Sequence, residues 1–115
     1  MPMLADNVFL KIIGKTLPAE ILHEDDRSLA FRDRHPQAPV HFLVIPKDVI
    51  RTHADISPGQ AELVGHLHLV AAKVARELGL EGYRVVVNSG DGGGQTVPHL
   101  HLHVLGGRPL AWPPG

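Results

Sequence analysis

Three histidines, His99, His101 and His103, alternate with Leu100, Leu102 and Val104. On an extended strand successive side chains point to opposite faces, so the imidazoles share one face and the apolar chains the other. One histidine on a solvent-facing strand needs no explanation. Three at strict period two, directly after a glycine-rich stretch, point to chemistry, because a plain solvent face more naturally carries Lys, Glu or Thr. Two chemistries compete. A metal site is the weaker one: on a strand the Cα atoms of His99 and His103 stand about 13 Å apart, too far to share one tetrahedral ion. Two of the three with a remote ligand such as His41 remain a possible set. The stronger one is nucleophilic attack on phosphorus, since a neutral imidazole is a good nucleophile and is mostly unprotonated at pH 7. A central histidine would attack while its neighbours hold phosphoryl oxygens or protonate the leaving group.

The preceding loop, Ser89–Thr96, carries glycines at 90, 92, 93 and 94. Such a run turns sharply and presents N–H groups to an anion. It is not a Walker loop, because no Gly-Lys-Ser/Thr follows and it leads into a strand rather than a helix. No cluster of carboxylates suits Mg²⁺-dependent phosphoryl transfer, and no cofactor or metal is expected.

The elements that must position these residues read as α+β. Apolar residues at helical spacing in Val8–Leu17 predict a short helix ending at Pro18. Strands are predicted at Glu20–His23, Ser28–Arg32 and Val40–Ile45, joined as an antiparallel meander. A long helix starts at the Ser57-Pro58-Gly59-Gln60 capping box and runs to about Leu78. Its stripe Leu63, Val64, Leu67, Val70, Ala71, Val74 and Leu78 faces a core, with Glu62, His66, Lys73 and Glu77 toward water. Gly65, inside a second flank with Ala61, Leu69 and Ala72, costs helix stability and suggests a closely packed backbone there, which favours a homodimer. Strands Tyr83–Asn88 and Val97–Leu105 follow. His66, His53, His23 and His35 are read as water-facing or loop residues, and His68 as the edge of the apolar stripe.

Composition narrows the class. The 115 residues fit one domain, 1–115. Eleven Lys and Arg against twelve Asp and Glu leave no basic surface for nucleic acid. No cysteine excludes disulfides and thiol chemistry. No apolar run is long enough for a membrane span, and the N-terminus lacks the pattern of a signal peptide. A cytoplasmic location is the expectation.

The His-x-His-x-His run resembles the histidine triad family of nucleotidyl hydrolases and transferases, in particular its Hint branch of nucleoside phosphoramidases. The likeness extends through Phe9-Leu10-Lys11-Ile12-Ile13, Glu24-Asp25-Asp26-Arg27, Ala30-Phe31-Arg32-Asp33, Pro36-Gln37-Ala38-Pro39, His41–Lys47, Gly82–Asn88, Gly93–Val97 and Leu105-Gly106-Gly107-Arg108. The resemblance implies a dimer whose five-stranded antiparallel sheets join, each sheet carrying one long and one short helix. It implies that His101 becomes nucleotidylated, that His99 and His103 contact phosphate or leaving group, and that His41 supports them. Thr96 would supply the hydroxyl near the leaving group, where the family commonly has Ser. Asp33 would bind the ribose hydroxyls. Asn88, Gly94, Gln95 and Val97 would surround sugar and phosphate, and Phe9, Ile12, Leu17 and Phe31 would form the base pocket. Pro98 replaces a residue that is often Tyr, and Trp112 resembles a tail placed near the partner's site. The activity implied is hydrolysis of purine nucleoside 5′-phosphoramidates. The alternatives are dinucleoside polyphosphate hydrolysis and a nucleotide-binding interaction module with vestigial catalysis.

Overall fold

The computed structural model describes residues 2–115. Its chain order is α1 (Val8–Ile13), β1 (Ile21–Glu24), β2 (Ser28–Arg32), β3 (Val40–Pro46), α2 (Ala61–Glu77), β4 (Tyr83–Val86) and β5 (Leu102–Gly106), with 3₁₀ turns at His53–Asp55, Pro58–Gln60 and Asp91–Gly93. The five strands form one antiparallel sheet in the order β1-β2-β3-β5-β4. Strands β2 and β3 are apolar almost throughout because both faces of the sheet are covered there. On one face Ala30, Phe42, Val44, Leu102 and Val104 pack against Leu67, Val70, Ala71, Val74 and Ala75 of α2. On the other, Leu29, Phe31, Leu43 and Ile45 pack against Phe9 and Ile12 of α1.

The long helix follows its sequence signals. Gln60 Oε1 accepts from Ser57 N–H at 2.9 Å, which holds the entry turn, and Gly79 at φ +76° ends the helix. Leu67 is fully buried, so Leu67→Ala is expected to cost about 2–5 kcal/mol in urea unfolding, through lost burial and the cavity left behind. The second flank is not packed within the chain: Leu69 is 72% exposed, and nothing lies within 4 Å of a Cβ placed on Gly65.

The short helix departs from its expected length. It stops at Ile13 instead of running to Leu17, because Gly14 caps it and Lys15 turns to φ +63°. Six residues make a rod about 9 Å long, too short to roof its face of the sheet. The uncovered remainder is a cleft.

Candidate active site

The cleft is open to solvent, with a cavity volume of about 230 Å³. Val8, Phe9 and Ile12 of α1 form one wall, with Leu17 and Ala19 beyond it; Phe31 and Leu43 form the floor. Asp33, Arg34 and His35 stand at the end of β2, and Thr96, Val97, His101 and His103 close the side nearest β5.

Only His103 lies within β5, opposite Leu43 of β3. The strand expected from Val97 begins instead at Leu102, because the chain bends over residues 97–99. Pro98 has no N–H to give a ladder, and the Leu100 N–H is taken by the Ile50 carbonyl at 2.6 Å. The alternation survives the bend. Leu100, Leu102 and Val104 enter the α2 core, while His99 and His101 set their rings edge-on to Phe9, at centroid distances of 6.0 and 5.0 Å.

The glycine loop is braced from within. Gly90 and Gly94 take φ of +73° and +84°, which favours glycine at both positions. The Gln95 side chain is buried; its Oε1 accepts from Gly90 N–H at 2.9 Å, and its Nε2 donates to the carbonyls of Arg51 and Val97 at 2.7 and 2.9 Å. Gln95, Asn88 and Gly94 therefore shape or adjoin the turn and do not line the cleft. Thr96 does line it, exposed at its mouth.

Burial lowers the pKa of all four site histidines. For His41 and His101 the loss of hydration outweighs the Asp33 charge, and for His101 also the bond to His99. For His99 it outweighs the bond to Pro46. Loss of hydration, reinforced by His101 and His41, takes His103 to about 4 against the pull of Asp33. With neutral rings, the hydrogen-bond partners dictate each tautomer. The Gln37 N–H donates to His41 Nδ1 at 3.0 Å, so His41 carries its proton on Nε2 and donates it to His103 Nδ1 at 2.9 Å. His103 then holds its own proton on Nε2. His101 Nδ1–H donates to the His99 carbonyl at 2.7 Å, which leaves the Nε2 lone pair free on the cleft wall.

His99 is the exception to the expected roles. Its ring is fully buried and does not reach the cleft. Nε2–H donates to the Pro46 carbonyl at 2.7 Å, and Nδ1 accepts from Asn7 Nδ2 at 2.9 Å. Both nitrogens are occupied, so neither can hold a phosphate or a leaving group. What His99 offers the site is its main-chain carbonyl, which orients His101. The sequence reading missed Asn7 altogether. An Asn ahead of an apolar helical run is a recognisable cap, and its Oδ1 does accept from the N–H groups of Phe9 and Leu10; its link to a residue 92 positions away has no local signature. Val8, Ala19, Arg34, His35 and Leu43 are further lining residues that the sequence reading did not single out.

His66 is a second correction. It is half-buried, as is His23, also read as a surface residue: the Nε2 atoms of both stand 2.8 Å from Asp25 Oδ2, which Ser28 Oγ–H also approaches, at 2.9 Å. Burial pushes the Asp25 carboxyl up. Bonds from His23, the Arg27 N–H, His66 and Ser28 outweigh it and hold the group far below the usual carboxylate range. One carboxylate thereby ties the β1–β2 turn to α2. The donor atoms of Asp33, His41 and His103 also gather within 4.8 Å, close enough for an ion, although the His41–His103 hydrogen bond already accounts for that contact.

These shifts fix the acid response. A histidine whose pKa falls on folding adds stability above its unfolded value near 6.5 and loses it as pH drops toward the folded value. Asp25 adds a further loss below its unfolded value near 3.9. The urea midpoint should therefore fall between pH 7 and pH 5 and again below pH 4; an unchanged midpoint over the first interval would contradict the neutral-ring network.

Residues 15–110 match the family model described as HIT domain. The chain is 55% identical over 114 residues to an uncharacterized HIT-like protein of Synechococcus elongatus, covering 98% of this chain and all of that one. Its fold is similar to a HIT family hydrolase from Legionella pneumophila (TM-score 0.93, 47% identity, 96% of this chain and all of that one). It is also similar to a histidine triad protein from Clostridium difficile (TM-score 0.88, 43% identity, 94% and 96% of the two chains). Among the described residues no helix is long and apolar enough to cross a membrane. With a cleft-facing imidazole fixed in one tautomer inside this fold and a family match over most of its length, the chain belongs to the HIT domain family.

Proposed function

We propose that this protein, acting as one domain over residues 1–115, is a hydrolase that cleaves the P–N bond of purine nucleoside 5′-phosphoramidates through a nucleotidyl-His101 intermediate. The observation that carries the reading is the bond from His101 Nδ1–H to the His99 carbonyl, which leaves Nε2 as a lone pair at the cleft. In the first step Nε2 attacks phosphorus, an Nε2–P bond forms and the P–N bond breaks; the departing amine takes a proton from solvent at the open mouth. His103, whose Nδ1 is occupied by His41, directs Nε2–H at a phosphoryl oxygen and stabilises the charge that develops there. The Thr96 hydroxyl adds a second donor beside the leaving group. In the second step water attacks phosphorus: a P–O bond forms, the Nε2–P bond breaks, the proton lost by the water passes to solvent, and the nucleoside monophosphate leaves neutral His101 behind. Asp33 accepts from the ribose hydroxyls in this reading, and Phe9, Ile12, Leu17, Phe31 and Val97, which line the cleft with it, enclose the base. His41 and His99 act through His103 and His101, and no step needs a metal.

The test is mass spectrometry of the protein quenched during turnover of an AMP–amine conjugate. A nucleotidyl adduct on His101 is expected, and its absence under conditions of full turnover would overturn the mechanism. Comparing that conjugate with a dinucleoside polyphosphate separates the two family reactions, and turnover near the uncatalysed rate on both would favour a binding module. Activity that vanishes on exhaustive chelation would favour an ion at Asp33, His41 and His103. We further propose a cytoplasmic homodimer, supported by the unpacked Gly65–Leu69 flank and by β4, which lies at an edge of the sheet. Light scattering should give twice the 12.5 kDa chain mass.

A further inference from the structure

We propose that Arg34 makes the cleft selective for guanine over adenine, so that guanosine 5′-phosphoramidates are the preferred substrates; the inference rests on the reading of the cleft as a nucleotide site. The phosphoryl end is marked by His101, His103 and Thr96, all at or just before β5. Arg34 follows β2, and β3 lies between β2 and β5, so the backbone that carries Arg34 leaves the sheet two strand spacings, about 10 Å, from β5. Arg34 lines the same cleft as Phe31, Leu17 and Ala19, the residues that the nucleotide reading gives to the base. The ribose carboxylate, Asp33, is its immediate chain neighbour.

The enclosing walls are apolar, so the polar edge of a bound base needs its partners at the rim. Among the described residues Arg34 brings the one permanently charged side chain to the lining. It is also unspent. Arg32 is held by Glu20 at 2.6 Å and Arg108 by the Gln37 and Pro109 carbonyls at 3.0 and 3.1 Å, whereas Arg34 makes no hydrogen bond or ion pair among the described residues. A guanidinium donates and never accepts. Guanine presents two acceptors, O6 and N7, on one edge and fits such a fork; adenine presents N7 beside the N6 amino donor, which opposes it.

The test is calorimetric binding of GMP, AMP and IMP to the full chain and to Arg34→Leu and Arg34→Gln. Arg34 is exposed, so neither change threatens folding. GMP is expected to bind about tenfold or more tighter than AMP, the discrimination typical of a bidentate arginine–guanine pair. IMP, which keeps O6 and N7 but lacks the 2-amino group, should follow GMP. The GMP-to-AMP ratio should fall to near one in Arg34→Leu and to one or below in Arg34→Gln, whose amide can pair with adenine N6 and N7. Equal affinity of the wild type for GMP and AMP would overturn the assignment while leaving the nucleotide site standing, and so would a ratio that survives in Arg34→Leu. Failure of the wild type to bind any of the three would overturn the nucleotide reading itself.

Discussion

Alanine at position 101 should lower turnover of a nucleoside phosphoramidate by about 10⁴-fold or more, because the group that forms the covalent bond is gone and its neighbours act as a unit with it. Substrate affinity should change far less, since the walls formed by Phe9, Ile12, Phe31 and Asp33 remain. Single-turnover rates and nucleotide binding measured on the same preparation separate the two effects. Turnover equal to the wild type would end the account. The pH profile of the wild type supplies a second reading of the same residue. His101 acts only with Nε2 unprotonated, and burial pushes its pKa down. The acid limb of kcat/KM should therefore lie below pH 6.5, the value of an unperturbed imidazole.

Asn7→Ala should combine two losses at one position. The cap on α1 is worth about 1 kcal/mol. The Nδ1 of His99, left buried without a donor, adds a cost of about 1–3 kcal/mol. A loss of about 2–4 kcal/mol in urea unfolding is expected from their sum. Activity should fall as well, on the order of tenfold to a hundredfold, because the carbonyl that aims His101 belongs to the residue Asn7 holds. Asn7→Ser separates the contributions: a hydroxyl can still cap the helix but cannot reach His99. Stability should partly return in that variant while kcat stays low. A further readout belongs to Asn7 alone. Its Nδ2–H fixes His99 with the proton on Nε2, so the ¹⁵N shifts of that ring should report one tautomer in the wild type and a mixture in Asn7→Ser. A single unchanged tautomer in both proteins would show that the Pro46 carbonyl suffices.

The element pattern was legible because it rests on local rules. The capping box marked the 3₁₀ turn Pro58–Gln60 that leads into α2, periodicity marked the end of α2 within a residue, and the β-prone run Val40–Ile45 marked β3. Apart from the overlong α1, which Gly14 and Lys15 end locally, the errors fell where a non-local partner decided the outcome. Val97–Leu105 reads as one strand, yet the Ile50 carbonyl takes the Leu100 N–H and the ladder starts only at Leu102. His66 reads as a water-facing helix position, yet the β1–β2 turn brings Asp25 to it. His99 reads as a phosphate contact by its spacing, yet Asn7 and Pro46, far away in the chain, occupy both of its nitrogens.

By itself the sequence determined the α+β class, the separation of imidazoles from the leucine face, and the family. All of these depend on residue type at short spacing, where geometry is set by the backbone. Tertiary structure alone decided which nitrogen of each histidine carries a proton, which rings see the cleft, and which residues sit at its rim. Those outcomes depend on hydrogen-bond partners brought together across tens of residues, and a side chain's chemical role at a site follows from its partners as much as from its own type.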